Sequence, residues 1–166
     1  MLDTLALSNY PLRSNVCSTH TGLVSICDLR AVPVRGPSLE VPVLPTSVQA
    51  GFPSPALDFV HESINLQDHL VYDPPATFIA RVSGDSMLEA GISDGDQLLI
   101  HKGTRPRDGD VVIAVLDGQF TVKRLRLTGT GVVLAAANPD YPDIDVPELS
   151  ELSIWGVAYM CLHSLR

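Results

Sequence analysis

The sequence predicts a mainly β fold preceded by an extended N-terminal arm, and three observations carry that reading. From Ala76 onward, short apolar runs recur between Gly, Asp, Asn and Pro residues, which is the punctuation of strands rather than of helices. Leu116-Asp117-Gly118-Gln119 carries the Asp-Gly signal of a tight hairpin. Residues 1–49, by contrast, hold Pro11, Pro33, Pro37, Pro42 and Pro45 among Ser, Thr and Val, a spacing that defeats a continuous helix.

The elements follow in order. Residues 1–49 read as a leader and arm, largely irregular, with 41–50 extended. Within 57–70 the apolar positions Phe59, Val60, Ile64, Leu66 and Leu70 have helical spacing, and Asp58 stands near the start, so this stretch is expected to be partly helical or irregular. Strands are expected at 77–82, 97–101, 111–116, 119–127, 132–136 and 154–162. Two regions result: the arm at 1–49 and a compact domain at 50–166.

Composition limits the function classes. A chain of 166 residues with 45% hydrophobic residues can build one core. Cys17, Cys27 and Cys161 are far apart, with no CxxC and no His at metal-ligand spacing, so they read as reduced thiols of a cytoplasmic protein, and no metal or cofactor is expected. The histidines are scattered; His61, His69 and His101 read as surface or loop residues. No run approaches the ~18 apolar residues of a membrane span, and the N-terminus lacks the basic flank and apolar run of a secretory signal. The net charge is −8, balanced within 1–49 and negative beyond it. Basic residues cluster only at Lys123-Arg124 with Arg126, and no helix-turn-helix pattern is present, so no direct DNA binding is expected.

Two residues carry the chemistry. Ser86 lies in Val82-Ser83-Gly84-Asp85-Ser86-Met87, a turn composition that leaves backbone N–H groups of Ser86 and Met87 free to hold an oxyanion. Lys123 lies in Phe120-Thr121-Val122-Lys123-Arg124-Leu125. Strand alternation puts Thr121, Lys123, Leu125 and Leu127 on one face and Val122, Arg124 and Arg126 on the other, which favours a dry lysine. A serine hydroxyl needs a base before it attacks a carbonyl, and lysine serves as that base only when burial lowers its pKa. Each residue alone also fits a plain role, the serine as a turn cap and the lysine as a snorkelling surface residue.

Order and spacing separate these readings. Ala50-Gly51-Phe52-Pro53-Ser54-Pro55-Ala56, the Ser86 segment, Gly91-Ile92-Ser93-Asp94-Gly95-Asp96, Gly109-Asp110-Val111-Val112-Ile113-Ala114 and the Lys123 segment occur in one series that closes on Ile154-Trp155-Gly156-Val157. The series resembles the LexA/UmuD-type family of Ser-Lys peptidases, most closely its UmuD branch, from about Ala50 to the C-terminus. The resemblance implies a peptidase domain of short, strongly bent antiparallel strands over 50–166. It implies Ser86 as nucleophile, Lys123 as general base, Ala50-Gly51 as the bond cut, and Val48 in an apolar subsite. Ala-Gly is the dipeptide of LexA-type members, whereas enteric UmuD has Cys-Gly. Residues 1–34 match nothing in the family pattern; they are either a genuine extension or lie before the true start.

The function so implied is a DNA-damage (SOS) response protein that cleaves itself once. RecA filaments on single-stranded DNA would stimulate the cut, and the homodimeric cut form would serve a UmuC-like error-prone translesion polymerase. The alternatives are a non-catalytic dimeric binding module that regulates a polymerase or partner assembly, and a protease acting in trans. With an unperturbed lysine as base, cleavage is expected to accelerate toward about pH 10.

Overall fold

The computed structural model describes residues 25–31, 39–43, 62–146 and 151–166. These fall into two compact units, one drawn from residues 1–32 and 76–166 and the other from 33–75.

The smaller unit is a hairpin followed by a single helical turn. Strand β1 (Ser25–Ala31) belongs to the larger unit, so the first strand here is β2 (Glu40–Val43), which pairs antiparallel with β3 (Glu62–Asn65). Helix α1 (Leu66–Leu70) follows at once, because the Asn65 side chain accepts from the N–H groups of Gln67 and Asp68 and ends the strand by capping the helix. The helical spacing expected over 57–70 is thus realised only at its C-terminal end. Residues 62–65 are strand, and 57–61 lie outside the described residues.

The larger unit is an antiparallel sheet of β1, β4 (Thr77–Ser83), β5 (Gln97–His101), β6 (Val111–Leu116), β7 (Gln119–Thr128), β8 (Gly131–Ala135), β9 (Ile144–Asp145) and β10 (Leu152–Leu162). Their order across the sheet is β1-β4-β5-β10-β6-β7-β8-β9. The expected strands from residue 77 onward are all present. The β6–β7 junction is a two-residue turn with φ of 48° at Asp117 and 78° at Gly118. Such left-handed values are what Asp-Gly supplies, and they match the twist of the flanking strands.

β1 arises inside the leader expected to be largely irregular, whereas β2 overlaps the start of the stretch 41–50 expected to be extended. β1 escapes a period-two reading because its ladder with β4 shifts register between Ile26 and Asp28. A bulge of this kind breaks the alternation of faces on which strand patterns rest. β10 is bent twice, with register shifts between Ile154 and Gly156 and between Ala158 and Met160. Gly156 is required at the first shift, since a Cβ there would stand 2.7 Å from Ile100 Cγ2.

Both faces of the central strands are covered. Ala80, Val82, Met87, Ile92, Leu98, Ile100, Ile113 and Val122 form one cluster, and Val112, Ala114, Leu125, Leu134 and Val157 form a second. This is why the central strands read as continuous apolar runs. His101, expected at the surface or in a loop, is a buried residue of β5 whose Nδ1 lies 2.8 Å from Thr104 Oγ1. Leu127, expected to share the lysine's dry face, is exposed near the end of β7.

Candidate active site

The turn that carries Ser86 is built from both ends. Gly84 leaves β4 with φ 97°, and its N–H donates to Asp94 Oδ1 at 2.7 Å. The Met87 side chain, fully buried, anchors the turn in the first core cluster. A single 3-10 turn over Leu88–Ala90 follows and is closed by Gly91 at φ 73°. From across the sheet, the Ala137 N–H donates to the Ser86 carbonyl at 2.8 Å and the Glu89 N–H donates to the Ala137 carbonyl at 2.7 Å. Asn138 Nδ2 donates to the Asp85 carbonyl at 2.8 Å. These bonds hold the backbone on either side of the hydroxyl, so Ser86 Oγ has little freedom beyond its own rotamer.

Lys123 approaches from β7, where it pairs with Val112 of β6. Its Nζ lies 2.5 Å from Ser86 Oγ. Lys123 is 1% exposed and Ser86 0%. Burial pushes the Lys123 ammonium down to about 8, against an opposing pull from the carboxylate of Asp143. A buried charge is costly unless paired and hydrogen-bonded, and here the hydroxyl is the partner at hand. The arrangement can therefore move a proton from Oγ to a neutral Nζ near physiological pH.

Two further features surround this contact. Among the described residues, the backbone N–H groups of Ser86 and Met87 have no acceptor, which is the state needed to receive a developing oxyanion. Thr121, two residues before Lys123 on β7, is 2% exposed and its Oγ1 has no partner among the described residues.

A second buried polar cluster lies just before β5. Asp96 is 4% exposed and accepts from the Ser93 N–H at 2.8 Å and from Cys161 Sγ at 3.5 Å, while His163 Nδ1 stands 2.7 Å from its other oxygen. Burial pushes the Asp96 carboxyl up, but these hydrogen bonds outweigh it and hold the group below the ordinary carboxylate value. Burial and the neighbouring carboxylate raise the Cys161 thiol to about 11. No group of His, Cys, Asp and Glu among the described residues is arranged to hold a metal ion.

The structure thus brings the two sequence-predicted chemical residues together. Ala50, Gly51 and Val48 lie outside the described residues. Asn138 and Thr121 were not singled out in the sequence as site residues. Asn138-Pro139 carries an ordinary turn signal, and nothing local reveals that its amide reaches back to Asp85. Thr121 was legible only as a residue on the lysine's side of the strand.

Comparison with known proteins agrees with this geometry. Residues 42–159 match the family described as Peptidase S24-like. The chain is 43% identical to the protein SamA of Salmonella typhimurium over 125 residues, which span 75% of this chain and 86% of that one. It is 38% identical to the protein ImpA of Escherichia coli, with 75% and 85% covered. It is 42% identical to the LexA repressor of Dechloromonas aromatica over 68% of this chain and 56% of that protein. The chain belongs to the S24-like peptidase family and is UmuD-like in type, within a group of self-cleaving serine peptidases associated with SOS mutagenesis. No helix among the described residues is long and apolar enough to cross a membrane.

Proposed function

We propose that this UmuD-like S24 peptidase cuts its own chain between Ala50 and Gly51, with Ser86 as nucleophile and Lys123 as general base. The observation that carries the reading is the 2.5 Å contact between Lys123 Nζ and Ser86 Oγ, both buried. Neutral Lys123 takes the Oγ proton as Oγ bonds to the Ala50 carbonyl carbon. The oxyanion is received by the N–H groups of Ser86 and Met87. Collapse breaks the C–N bond, and the Lys123 ammonium returns its proton to the leaving Gly51 amine. Water then attacks the Ser86 ester with Lys123 again accepting the proton, releasing the Ala50 carboxylate and restoring the hydroxyl. Small side chains on either side of the bond suit a carbonyl that must come within about 3 Å of the nucleophile.

Family likeness supports the biological setting of the cut. The protein acts in the cytoplasm as a homodimer, RecA filaments on single-stranded DNA stimulate cleavage, and the cut form serves a UmuC-like translesion polymerase. Incubation with RecA, ATP and single-stranded DNA, followed by mass spectrometry of the products, tests the proposal. A new C-terminus at Ala50 and a new N-terminus at Gly51 are expected. A cut elsewhere overturns the proposed bond, and a chain that stays whole overturns the proposal and favours the non-catalytic dimeric module.

A further inference from the structure

Both described strands that precede Ala50 are paired with strands that follow it. β1 pairs with β4 from Ser25↔Ser83 to Ala31↔Phe78. β1 is the outermost strand of its sheet, while β5 holds the other edge of β4. Leu29 packs against the first core cluster, so the contact is more than a backbone ladder. In the other unit, β2 pairs with β3 from Glu40↔Asn65 to Val43↔Glu62, and the Leu66 N–H donates to the Leu39 carbonyl at 2.9 Å. Each unit is therefore closed by chain from both sides of residue 50.

We infer that the outer edge of β4 is a strand-binding site whose resident is residues 25–31, and that cutting at Ala50–Gly51 yields a nicked two-chain protein in which the piece ending at Ala50 stays bound. The inference rests on the proposed position of the cut. Strand pairing needs main-chain hydrogen bonds and side-chain packing, and a peptide break beyond the last paired residue removes neither. The β1 and β2 pairings grip one piece at two places, so both must open before it leaves, and loss of either shortens its stay. Departure of the piece would also bare the N–H and C=O groups of β4 as an open sheet edge, which folded proteins avoid. The resident strand thereby becomes exchangeable only after the cut, since in the whole chain it is tethered.

Native mass spectrometry of the self-cleaved full-length protein tests this. The two pieces are expected at one combined mass without denaturant and as separate masses with it. A parallel arm uses a Ser86→Ala chain with a thrombin recognition sequence inserted after Gly51 and cut by thrombin. If the unmodified chain does not cut itself, the proposed function fails while the thrombin arm still reports on retention. If either cut protein appears natively without its N-terminal piece, the strand-binding site is overturned. Leu29→Pro and Arg30→Pro identify the grip, because adjacent N–H groups of a strand point opposite ways and one of the two prolines must break the ladder. At least one is expected to speed loss of the piece. Retention unchanged in both, with circular dichroism of the cut protein preserved, overturns β1 as the site's resident.

Discussion

The molecule buries a cation and a carboxylate in quite different company. Asp96 is surrounded by donors, the Ser93 N–H, His163 and Cys161, and its charge is held stable below the ordinary carboxylate value. Lys123 has the Ser86 hydroxyl at 2.5 Å, and its charge is destabilised until its pKa falls to about 8. A saturated group resists changing protonation state, and an undersupplied one is ready to change it. The first arrangement fastens the residues after β10 to the loop before β5. The second is the setting that the proposed base requires.

The largest effect that sharpens the contrast is loss of cleavage. Ser86→Ala and Lys123→Ala are each expected to slow self-cleavage by about a hundredfold or more, followed as disappearance of full-length protein on gels, with circular dichroism unchanged. Normal cutting in either variant would dissolve the distinction between the two clusters.

Next comes pH. In the proposed mechanism only neutral Lys123 accepts the serine proton, so with a pKa of about 8 the unassisted rate should rise about tenfold from pH 7 to 9 and level off above. The rise toward pH 10 expected of an ordinary lysine is thus moved down by burial. A flat profile through neutral and mildly alkaline pH would remove Lys123 as the base.

Stability gives a smaller effect of opposite sign at the two places. Because the folded-state pKa of Lys123 is lowered, the unfolded chain binds its proton more readily, and folding is penalised most fully below about pH 8. In a Ser86→Ala background, Lys123→Met is expected to add about 1–3 kcal/mol at pH 7. Urea melts should show the gain shrinking as pH rises from about 8 toward the ordinary lysine value of 10.5. Asp96→Asn should instead cost about 1–2 kcal/mol at pH 7, while the cleavage rate of the folded protein is unchanged. Its depressed pKa means that the contribution is present above the ordinary carboxylate value and lost as pH falls through the folded one.

Much of the fold was legible from residue 77 onward, because the strand runs are bounded by turn residues and one hairpin is written as Asp117-Gly118. β1 was not, since the bulge after Ile26 hides its alternation and its pairing partner lies some fifty residues away. β3 is hidden within the stretch expected to be partly helical or irregular, because Ile64 and Leu66 straddle the strand–helix junction at Asn65. At the site, Ser86 and Lys123 each also fit a plain role locally, and are legible through the order and spacing of their segments and the Ala50-Gly51 pair upstream. Asn138 was not, because the bond that makes it matter spans 53 residues and is created by the sheet order alone.

That order gives β10 a role beyond packing. Ser86 follows β4 on one side of β10, and Lys123 lies on β7 on the other, with β5 and β6 each hydrogen-bonded to β10 itself. β10 is therefore the seam of the sheet: Nζ stands against Oγ only in a sheet that this strand has joined.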